Sequence, residues 1–330
     1  MCQHVKKGIP PSGQNDTLVE FLKPNSTKRR YKQVRILITG ATGFIGRHLL
    51  ARLAHEHEVI GLVRRVPLFT PKGVTYITQE LTAPLDSARL PQQVDIIIHQ
   101  AALIDMDASG NGGGDAAPFL ANVVATWRLL HYAQQVGARS FVHASTGGVY
   151  GCRDTPFQED DPLNPMDLYS LTKSQAELAV RHTPAPFPKI ILRYFFPYGI
   201  GTPNPIPSYV QAALRGTPIT IPANRKPRFN PIHIADTVEA TVRAMALQED
   251  TTLNIAGVEI TSFAEIAEFA AQRAGCQPNF SLLPDQEVIP YYRADLMASI
   301  EKMQRILGFT PQVSLAAGLA ELVDGYLAQG

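Results

Sequence analysis

A tyrosine and a lysine four residues apart, Tyr169 and Lys173 in the stretch YSLTK, could together do acid/base chemistry. On a helix, residues at i and i+4 share one face, so the two side chains lie next to each other. The phenol of tyrosine ionises at about pH 10, which is too high for a base at neutral pH. A neighbouring ammonium group lowers the pKa of the phenol because it stabilises the phenolate. The pair therefore predicts a general acid/base whose reacting group is Tyr169.

Two hydroxyl side chains precede this pair. The strand-like run RSFVHAS ends at Ser145, and Thr146 follows it directly. Hydroxyl groups at the end of a strand can donate hydrogen bonds to a substrate oxygen. We therefore expect Thr146, helped by Ser145, to hold the oxygen on which Tyr169 acts.

Three glycines, Gly40, Gly43 and Gly46, follow a short β-branched run in the stretch VRILITGATGFIG. Glycine allows a tight turn and lets a phosphate approach backbone N–H groups that a Cβ would shield. The triplet follows a predicted strand and opens a predicted helix, which is the context of a dinucleotide-binding turn. The residues that we expect to contact the cofactor are Gly40, Thr42, Gly43, Phe44, Ile45 and Gly46.

The end of the second predicted strand bears on which nicotinamide cofactor binds. An NAD site usually has a carboxylate there, about 20 residues after the glycines, that binds the ribose hydroxyls. This chain has Val63 followed by Arg64 and Arg65. The 2′-phosphate of NADP is then not repelled, and arginine can bind it through charge-assisted hydrogen bonds. We expect NADP(H) in preference to NAD(H); the alternative is that both arginines are simply a solvated strand end.

The elements that position these residues alternate between strand and helix from Val34 onward. Continuous apolar strands separated by helices are typical of a parallel sheet covered on both faces. The predicted strands are Arg35–Thr39, Glu58–Val63, Val74–Ile77, Val94–Ala102, Arg139–Ser145 and Lys189–Phe195. The predicted helices are Phe44–Ala54, Phe119–Gln135, one that begins near Tyr169, Pro207–Arg215, Ala235–Leu247 and Ser262–Ala274. We predict an α/β fold with a Rossmann-type doubly wound parallel sheet and a smaller C-terminal substrate-binding lobe.

The 330 residues divide into three segments by composition. Residues 1–33 form a polar N-terminal extension, unlike a signal peptide, whose KRRYK cluster is either a docking tag or a solvated stretch. Residues 34–196 form the dinucleotide-binding domain, with its sheet completed by later segments. Residues 197–330, where prolines cluster between helices, form mainly the substrate-binding lobe. The loop GNGGG at Gly110–Gly114 is either a lid or a tolerated insertion.

Charge and cysteine content exclude several classes of function. With 30 basic and 29 acidic residues, the chain lacks the electrostatic footprint of a protein that binds nucleic acid or an acidic membrane. Its apolar runs are too short to span a bilayer. The three cysteines lie far apart, which fits a reducing compartment without disulfides and suits no zinc site. We expect a cytoplasmic protein with no metal, nucleic-acid or membrane partner.

Taken together, the motifs resemble those of the extended short-chain dehydrogenase/reductases, and within them the NAD-dependent epimerase/dehydratase family of nucleotide-sugar enzymes. The resemblance runs from about Val34 to the C-terminus. The matching stretches are TGATGFIG at the glycines, HQAA (His99–Ala102), NVVAT with Asn122, HASTGGVYG (His143–Gly151), YSLTK, LRYFFPYGIG (Leu192–Gly201), RFNPIHIAD (Arg228–Asp236) and ADLMASIEKMQRILGFTP (Ala294–Pro311).

The resemblance implies roles for these positions. Thr146 takes the position of the catalytic hydroxyl beside Tyr169, and Lys173 lowers the phenol pKa and binds the cofactor ribose. Arg228 and Arg293 become candidate partners of a substrate diphosphate. The further cofactor-binding positions that it implies are Glu80, Leu81, Ala101, Ala102, Asn122, Tyr169, Lys173 and Phe196.

Departures from the family pattern reduce the number of reactions that the chain could catalyse. Sugar 4,6-dehydratases have an Asp-Glu pair directly after the catalytic threonine, and the decarboxylating relatives use a glutamate there. This chain has Gly147 and Gly148 at those places, so elimination lacks its acid and base. Phe196 stands where the family has an asparagine that contacts phosphate, and Ala125 replaces a usual glycine.

From these residues we predict an NAD(P)-dependent oxidoreductase that transfers hydride at a secondary alcohol or ketone of a nucleotide sugar or similar polar metabolite. One alternative is a nucleotide-sugar 4-epimerase with tightly bound NAD, which would use the same catalytic residues. An alternative from another class is a non-catalytic sensor or scaffold that binds the cofactor.

The resemblance also implies a homodimer. Family members commonly pair through two helices, here Phe119–Gln135 and the helix that begins near Tyr169. The first of these is apolar nearly all round, so it must bury a second face. The chain would instead be monomeric if the GNGGG loop or the N-terminal extension covered this surface.

Overall fold

A computed structural model of the chain describes residues 34–104, 116–288 and 292–328. The N-terminal extension with its KRRYK cluster and the GNGGG loop lie outside the described residues, so what we expect of them stays a prediction.

Seven parallel strands form the central sheet. They are β1 (Arg35–Thr39), β2 (Glu58–Val63), β3 (Val74–Thr78), β4 (Ile96–His99), β5 (Ser140–Thr146), β6 (Lys189–Tyr194) and β11 (Thr251–Ile255). Their spatial order is β3-β2-β1-β4-β5-β6-β11. Because the order reverses between β1 and β4, a crevice opens at the carboxyl ends of these two strands. The predicted Rossmann-type doubly wound sheet is confirmed.

Both faces of the sheet are covered, which explains why its strands are continuously apolar. Ile36 and Ile38 pack into the core on one face, and Leu37 between them packs into the core on the other. All three side chains are fully buried. A strand that is buried on both faces has few positions for polar residues, so its sequence is nearly continuously apolar.

Two strands of the central sheet depart clearly from the prediction, whereas the bounds of the other five agree within one residue. The predicted strand Val94–Ala102 is regular only over Ile96–His99. Asp95 bounds it at one end, since its carboxylate accepts a hydrogen bond from Arg35 N at 2.8 Å. Past the other end the chain leaves the sheet, and Ala101 N donates to the Thr39 hydroxyl instead. The seventh strand, β11, was not predicted as a strand, although later segments were expected to complete the sheet.

The described chain contains nine α-helical segments, of which the last two, Glu301–Leu307 and Leu315–Leu327, were not predicted. They are α1 (Phe44–Leu53), α2 (Ala117–Phe119), α3 (Ala125–Gln135), α4 (Leu168–His182), α5 (Ile206–Arg215), α6 (Ile234–Ala244), α7 (Phe263–Arg273), α8 (Glu301–Leu307) and α9 (Leu315–Leu327). The predicted ends agree within a few residues. Helix α6 ends three residues early because Leu247 N bonds Ala244 O, a tight i to i−3 turn that stops the α-helical pattern.

The predicted helix Phe119–Gln135 is not uniformly α-helical. A π-helical turn, Leu120–Val124, joins α2 to α3. Such wide turns occur frequently at functional sites. This one contains Asn122, whose fully buried side chain points toward the end of β4. The periodicity of apolar residues carried no sign of the extra residue in this turn.

The later part of the chain builds a second core around α5, α7 and α9. Its centre includes Tyr198, Val210, Phe229, Ile266 and Leu322. Three two-stranded sheets surround it: β7 (Pro197–Tyr198) with β10 (Ile232–His233), β9 (Arg228–Phe229) with β12 (Thr261–Ser262), and β8 (Ile219–Pro222) with β13 (Phe280–Leu283). Helix α6 packs back against the sheet core. Among the described residues, no helix combines the length and the apolar character needed to cross a bilayer.

Candidate active site

The glycine turn after β1 leaves no room for side chains. Gly40 has φ +65°, and a Cβ there would lie 2.7 Å from Ala101 N. A Cβ on Gly46 would overlap the carbonyl oxygen of Gly40. Gly43 N donates to Gly40 O at 2.9 Å and so closes the turn. The first and third glycines are therefore required by the packing of β1, α1 and the β4 loop.

The N-terminus of α1 is available to an anion. Its N-cap residue, Gly43, supplies no side-chain cap, and the first turn contains no acidic residue. Thr42 and Gly43 are exposed, while Phe44 and Ile45 are partly buried beside them. Backbone N–H groups at such a terminus bind phosphate well. A pyrophosphate therefore fits this turn.

A buried histidine fixes the loop opposite the glycines. Thr126 Oγ1 donates to Asn122 O at 2.6 Å, so it can only accept from His99 Nε2 at 2.9 Å. His99 Nδ1 then accepts from Thr39 Oγ1 at 2.7 Å, and Thr39 Oγ1 accepts from Ala101 N at 3.1 Å. Burial lowers the pKa of His99 to about 3, so the ring is neutral. This chain of bonds holds Ala101 against Gly40.

Asn122 organises the same loop from the helix side. Its Oδ1 accepts from Leu103 N at 2.7 Å, and its Nδ2 donates to Leu103 O and to Thr172 Oγ1, each at 2.9 Å. The amide is thus occupied by protein groups, and Asn122 acts here on the backbone that borders the cofactor crevice. Ala102, also predicted to bind the cofactor, is exposed beside this loop.

The candidates at the far end of the crevice are exposed. Arg64 and Arg65, just past β2, make no hydrogen bond or ion pair with the described residues. Glu80 is exposed past β3, where its carboxylate accepts from Thr82 N at 3.2 Å, and Leu81 is partly buried. Two guanidinium groups that have no partner within the described residues therefore lie where an NAD site usually has a carboxylate.

Tyr169 lies in the first turn of α4. Asp167 caps this helix by accepting from Ser170 N at 2.7 Å. The dense surroundings of the ring raise the pKa of the Tyr169 phenol, and the Asp167 carboxylate raises it further. In the protein alone, burial thus raises the phenol pKa by more than Lys173 was predicted to lower it. Lys173 has a weaker effect than predicted because burial lowers its own pKa to about 7.

Lys173 is only 1% exposed. Its Nζ lies 3.3 Å from His143 Nε2, on the strand beneath α4. Sequence reasoning did not select His143. The available signal was the polar pair His143 and Ser145 at alternate positions of an otherwise apolar strand, which therefore face the same side.

The two predicted hydroxyls differ in surroundings. Ser145 is buried and donates to Glu177 Oε1 at 2.5 Å. Thr146 is partly exposed and caps the next turn, where its Oγ1 accepts from Gly148 N at 3.2 Å. The hydroxyl hydrogen of Thr146 is therefore free for a substrate oxygen, whereas that of Ser145 is committed to Glu177.

Glu177 and Arg193 form a buried ion pair that sequence reasoning also missed. Glu177 is fully buried one turn after Lys173, and Arg193 on β6 donates to its two oxygens at 2.9 and 2.7 Å. The signal was a charged residue at i+4 from Lys173 and another inside the apolar run KIILRYF. The pair ties α4 to β5 and β6 beneath the candidate site.

In the second lobe, Arg228 is held by Asp295. Its Nε and Nη2 donate to Asp295 Oδ2 at 3.0 and 2.7 Å, and Asp295 is fully buried while Arg228 stays half-exposed. Arg293 is exposed and donates from Nε to Val288 O. Phe196 adopts φ +44° and packs on Phe229 at 4.3 Å between ring centroids.

The sheet thus brings the glycine turn, Ala101, Thr146, Tyr169 and Lys173 to the carboxyl edge of its strands. The glycine cradle fits a dinucleotide, and the hydroxyl, phenol and ammonium groups can polarise and deprotonate an alcohol. Within residues 34–104, 116–288 and 292–328, no three His, Cys, Asp or Glu side chains are grouped to hold a metal ion.

Known proteins resemble this chain over most of its length. The model of the NAD dependent epimerase/dehydratase family matches residues 36–256. The UDP-glucose 4-epimerase of Mycolicibacterium smegmatis is 30% identical over 319 residues, which span 88% of this chain and 98% of that protein. The UDP-N-acetyl-alpha-D-glucosaminuronate decarboxylase of Bacillus cytotoxicus is 26% identical over 323 residues, spanning 88% and 97%. The structure of a UDP-glucuronic acid 4-epimerase from Bacillus cereus with UDP-glucuronic acid and NAD matches with a TM-score of 0.78 at 26% identity, covering 89% of this chain and 99% of that one.

Proposed function

This chain is an enzyme that belongs to the NAD-dependent epimerase/dehydratase family, and on that premise we propose that it is a nucleotide-sugar 4-epimerase that keeps NAD bound. The observation that carries the proposal is the grouping of the glycine turn with Thr146, Tyr169 and Lys173 at one edge of the sheet. Similarity to epimerases of UDP-glucose and UDP-glucuronic acid supports the epimerase alternative over net oxidation or reduction.

The cofactor fits the residues that line the crevice. The cradle left by Gly40 and Gly46 and the uncapped N-terminus of α1 suit its pyrophosphate. Ala101 and Ala102 border the crevice. Lys173 and Tyr169 would hold the nicotinamide ribose, and Glu80, Leu81 and Phe196 would complete the cofactor site. When bound, the nicotinamide supplies the acceptor and donor of a hydride.

The chain's own residues handle the proton. Thr146 donates its hydroxyl hydrogen to the substrate oxygen and so orients the alcohol. The Tyr169 oxygen accepts the proton of the sugar 4-hydroxyl as C4 loses hydride. It returns that proton after the keto sugar has rotated in the site and presents its other face. Lys173 as an ammonium favours the phenolate and lowers its pKa. Ser145 takes part indirectly, through Glu177.

Elimination and decarboxylation are disfavoured by the packing after Thr146. A Cβ on Gly147 would lie 2.6 Å from the Phe195 ring, and Phe195 is only 1% exposed. No acidic side chain fits at this position unless the ring moves. The acid and base of a sugar 4,6-dehydratase are therefore missing, and so is the glutamate of the decarboxylating relatives.

The second lobe supplies the candidate contacts to the substrate diphosphate. Arg228 keeps its charge, because the Asp295 carboxylate raises its pKa. Its half-exposed guanidinium and the exposed Arg293 can both donate to phosphate oxygens. Phe196 cannot replace the amide that the family has there, so we assign phosphate binding to the two arginines.

A second candidate function has its own observation. Arg64 and Arg65 are exposed and unpaired with the described residues, which favours NADP(H) and hence a reductase that releases its cofactor. We rank it second because the related structure contains NAD.

We further propose a homodimer in a reducing, cytoplasmic compartment. Leu120 in the π-helical turn and Trp127 on α3 are exposed apolar side chains, and Leu171 and Leu178 lie seven residues apart on one face of α4. All four are 37–50% exposed. An exposed apolar face of this kind marks an interface. Self-pairing about a two-fold axis would bury it.

Turnover without added cofactor tests the proposed function. The purified enzyme is incubated with UDP-glucose or UDP-glucuronic acid, the products are followed by proton NMR, and the cofactor is identified after denaturation. We expect the 4-epimer to form and NAD to be released. Tyr169→Phe should lose turnover by about a hundredfold or more while retaining the cofactor, whereas the distant Tyr326→Phe should change neither. Stoichiometric consumption of added NADPH without epimer would support the reductase instead.

A further inference from the structure

A buried histidine, His143, contacts the catalytic lysine, Lys173, in the polar layer between α4 and the sheet. His143 Nε2 lies 3.3 Å from Lys173 Nζ, and neither side chain is more than 1% exposed. The other ring nitrogen of the histidine, Nδ1, is buried and has no hydrogen-bond partner among the described residues. Among the described residues, the ring therefore forms a hydrogen bond only with Lys173.

The other polar groups that face this lysine are already engaged. The Glu177 carboxylate accepts from Ser145, Arg193 and Arg181, so it acts on Lys173 by its charge and not as its hydrogen-bond acceptor. His99 uses both ring nitrogens on threonine hydroxyls. Tyr169 lies one turn before Lys173, at the mouth of the site.

The tautomer of His143 can follow the charge of the lysine. An ammonium donates to Nε2, which leaves the ring proton on Nδ1. A neutral amine can instead accept a proton donated by Nε2–H. The first arrangement is the stronger, because a hydrogen bond from an ionised donor is roughly twice as strong as one between neutral groups. His143 itself stays neutral, since burial lowers its pKa well below the ordinary value, and Lys173 and His99 lower it further.

We infer that His143 is a positioning residue that holds Lys173 in its ammonium form and aims Nζ at the crevice. Burial alone drives this lysine toward the neutral amine, with only the charge of Glu177 opposing it. Loss of the ammonium would leave Tyr169 without the charge that favours its phenolate. The catalytic part of this inference rests on the proposed function, while the coupling of the two side chains does not.

An NMR titration of Lys173 tests the coupling without any substrate. Protein labelled with 13C at lysine Cε is titrated, and Lys173→Arg identifies the signal. We expect His143→Phe to lower the Lys173 pKa by about one unit or more, because a charge-assisted acceptor is lost. His143→Gln should restore most of the difference, since its amide oxygen can accept at the place of Nε2. An unchanged Lys173 pKa in the phenylalanine variant would overturn the inference.

Turnover then tests the consequence for catalysis. We expect His143→Phe to lower kcat about tenfold or more with KM nearly unchanged, and His143→Gln to recover it. A variant that merely packs badly would instead lower the urea midpoint, and glutamine would not rescue it. A shifted Lys173 pKa with unchanged kcat would overturn the positioning role. Full activity of Tyr169→Phe would refute the proposed function and leave the measured coupling standing.

Discussion

The buried Lys173 should destabilise the native protein, so replacing it with methionine should raise the free energy of unfolding. Burial lowers the pKa of Lys173 from 10.5 to about 7, and the side chain is only 1% exposed. The difference between these values corresponds to roughly 5 kcal/mol of destabilisation of the charged form in the native state. Methionine fills a similar volume without a charge, but it leaves His143 Nε2 unpaired, which costs about 1–3 kcal/mol. We expect Lys173→Met to gain roughly 2–4 kcal/mol at pH 6.

The gain should depend on pH in one direction. At pH 6 both the native and the unfolded lysine are charged, so the full penalty is present. Between the native value of about 7 and the unfolded value near 10.5, the unfolded chain binds more protons, and the wild-type protein becomes more stable as pH rises. By pH 9 the advantage of Lys173→Met should be smaller by about 3 kcal/mol.

Urea unfolding at pH 6 and pH 9 measures both effects, with Lys189→Met as the matched control. Lys189 is also buried, but it donates to Arg181 O and Thr183 O at 3.0 Å and pairs with Asp250 at 3.2 Å. Its loss should destabilise the protein by about 1–3 kcal/mol at both pH values. If Lys173→Met were destabilised to a similar extent at pH 6, the conclusion that the buried Lys173 ammonium destabilises the native state would be refuted.

Three other experiments test separate parts of the structure. Gly40→Ala places a Cβ 2.7 Å from Ala101 N at a φ of +65°, so we expect a loss of about 1–3 kcal/mol in urea unfolding and weaker cofactor binding by calorimetry; unchanged binding would contradict the cradle. Arg64→Asp should weaken NADP(H) by about 1.5–3 kcal/mol more than NAD(H) in fluorescence titrations, and equal losses would show that Arg64 does not contact the 2′-phosphate. Light scattering should give the wild type a mass of twice 36.1 kDa, and the double variant Trp127→Glu, Leu178→Glu a mass of 36.1 kDa. A wild-type mass equal to that of one chain would refute the dimer.

Much of the fold can be predicted from the sequence because a doubly wound sheet produces a simple sequence pattern. Several of its strands contain unbroken apolar runs, such as Ile36–Ile38, and the glycines mark the first turn. The strand Thr251–Ile255 carries no such mark, since it contains two threonines and an asparagine. It becomes a strand by pairing with β6, 61 positions along the chain at Thr251 and Ile190. Pairing over that distance is a tertiary effect that local pattern does not predict.

The candidate site divides in the same way. The glycines, Tyr169 and Lys173 stand out because their types and spacing imply chemistry by themselves. His143, Glu177 and Arg193 do not, because each matters only through a partner on another element. Ser145 was selected as a substrate anchor, but its buried contact to Glu177 depends on how α4 sits on the sheet. The arginines after β2 predicted NADP from the sequence, whereas the related UDP-glucuronic acid 4-epimerase structure contains NAD.

The fate of one hydrogen atom distinguishes the proposed 4-epimerisation from net oxidation or reduction. In the proposed reaction the hydride leaves the C4 carbon of the sugar and returns to the other face, without exchange with water. The enzyme, with only the cofactor it carries, is incubated with UDP-glucose or UDP-glucuronic acid in deuterium oxide, and the product is examined by NMR and mass spectrometry. We predict that the 4-epimer forms with protium retained at C4 and that Tyr169→Phe forms about a hundredfold less. Deuterium at C4 of the epimer, or turnover that requires added NADPH, would contradict the account.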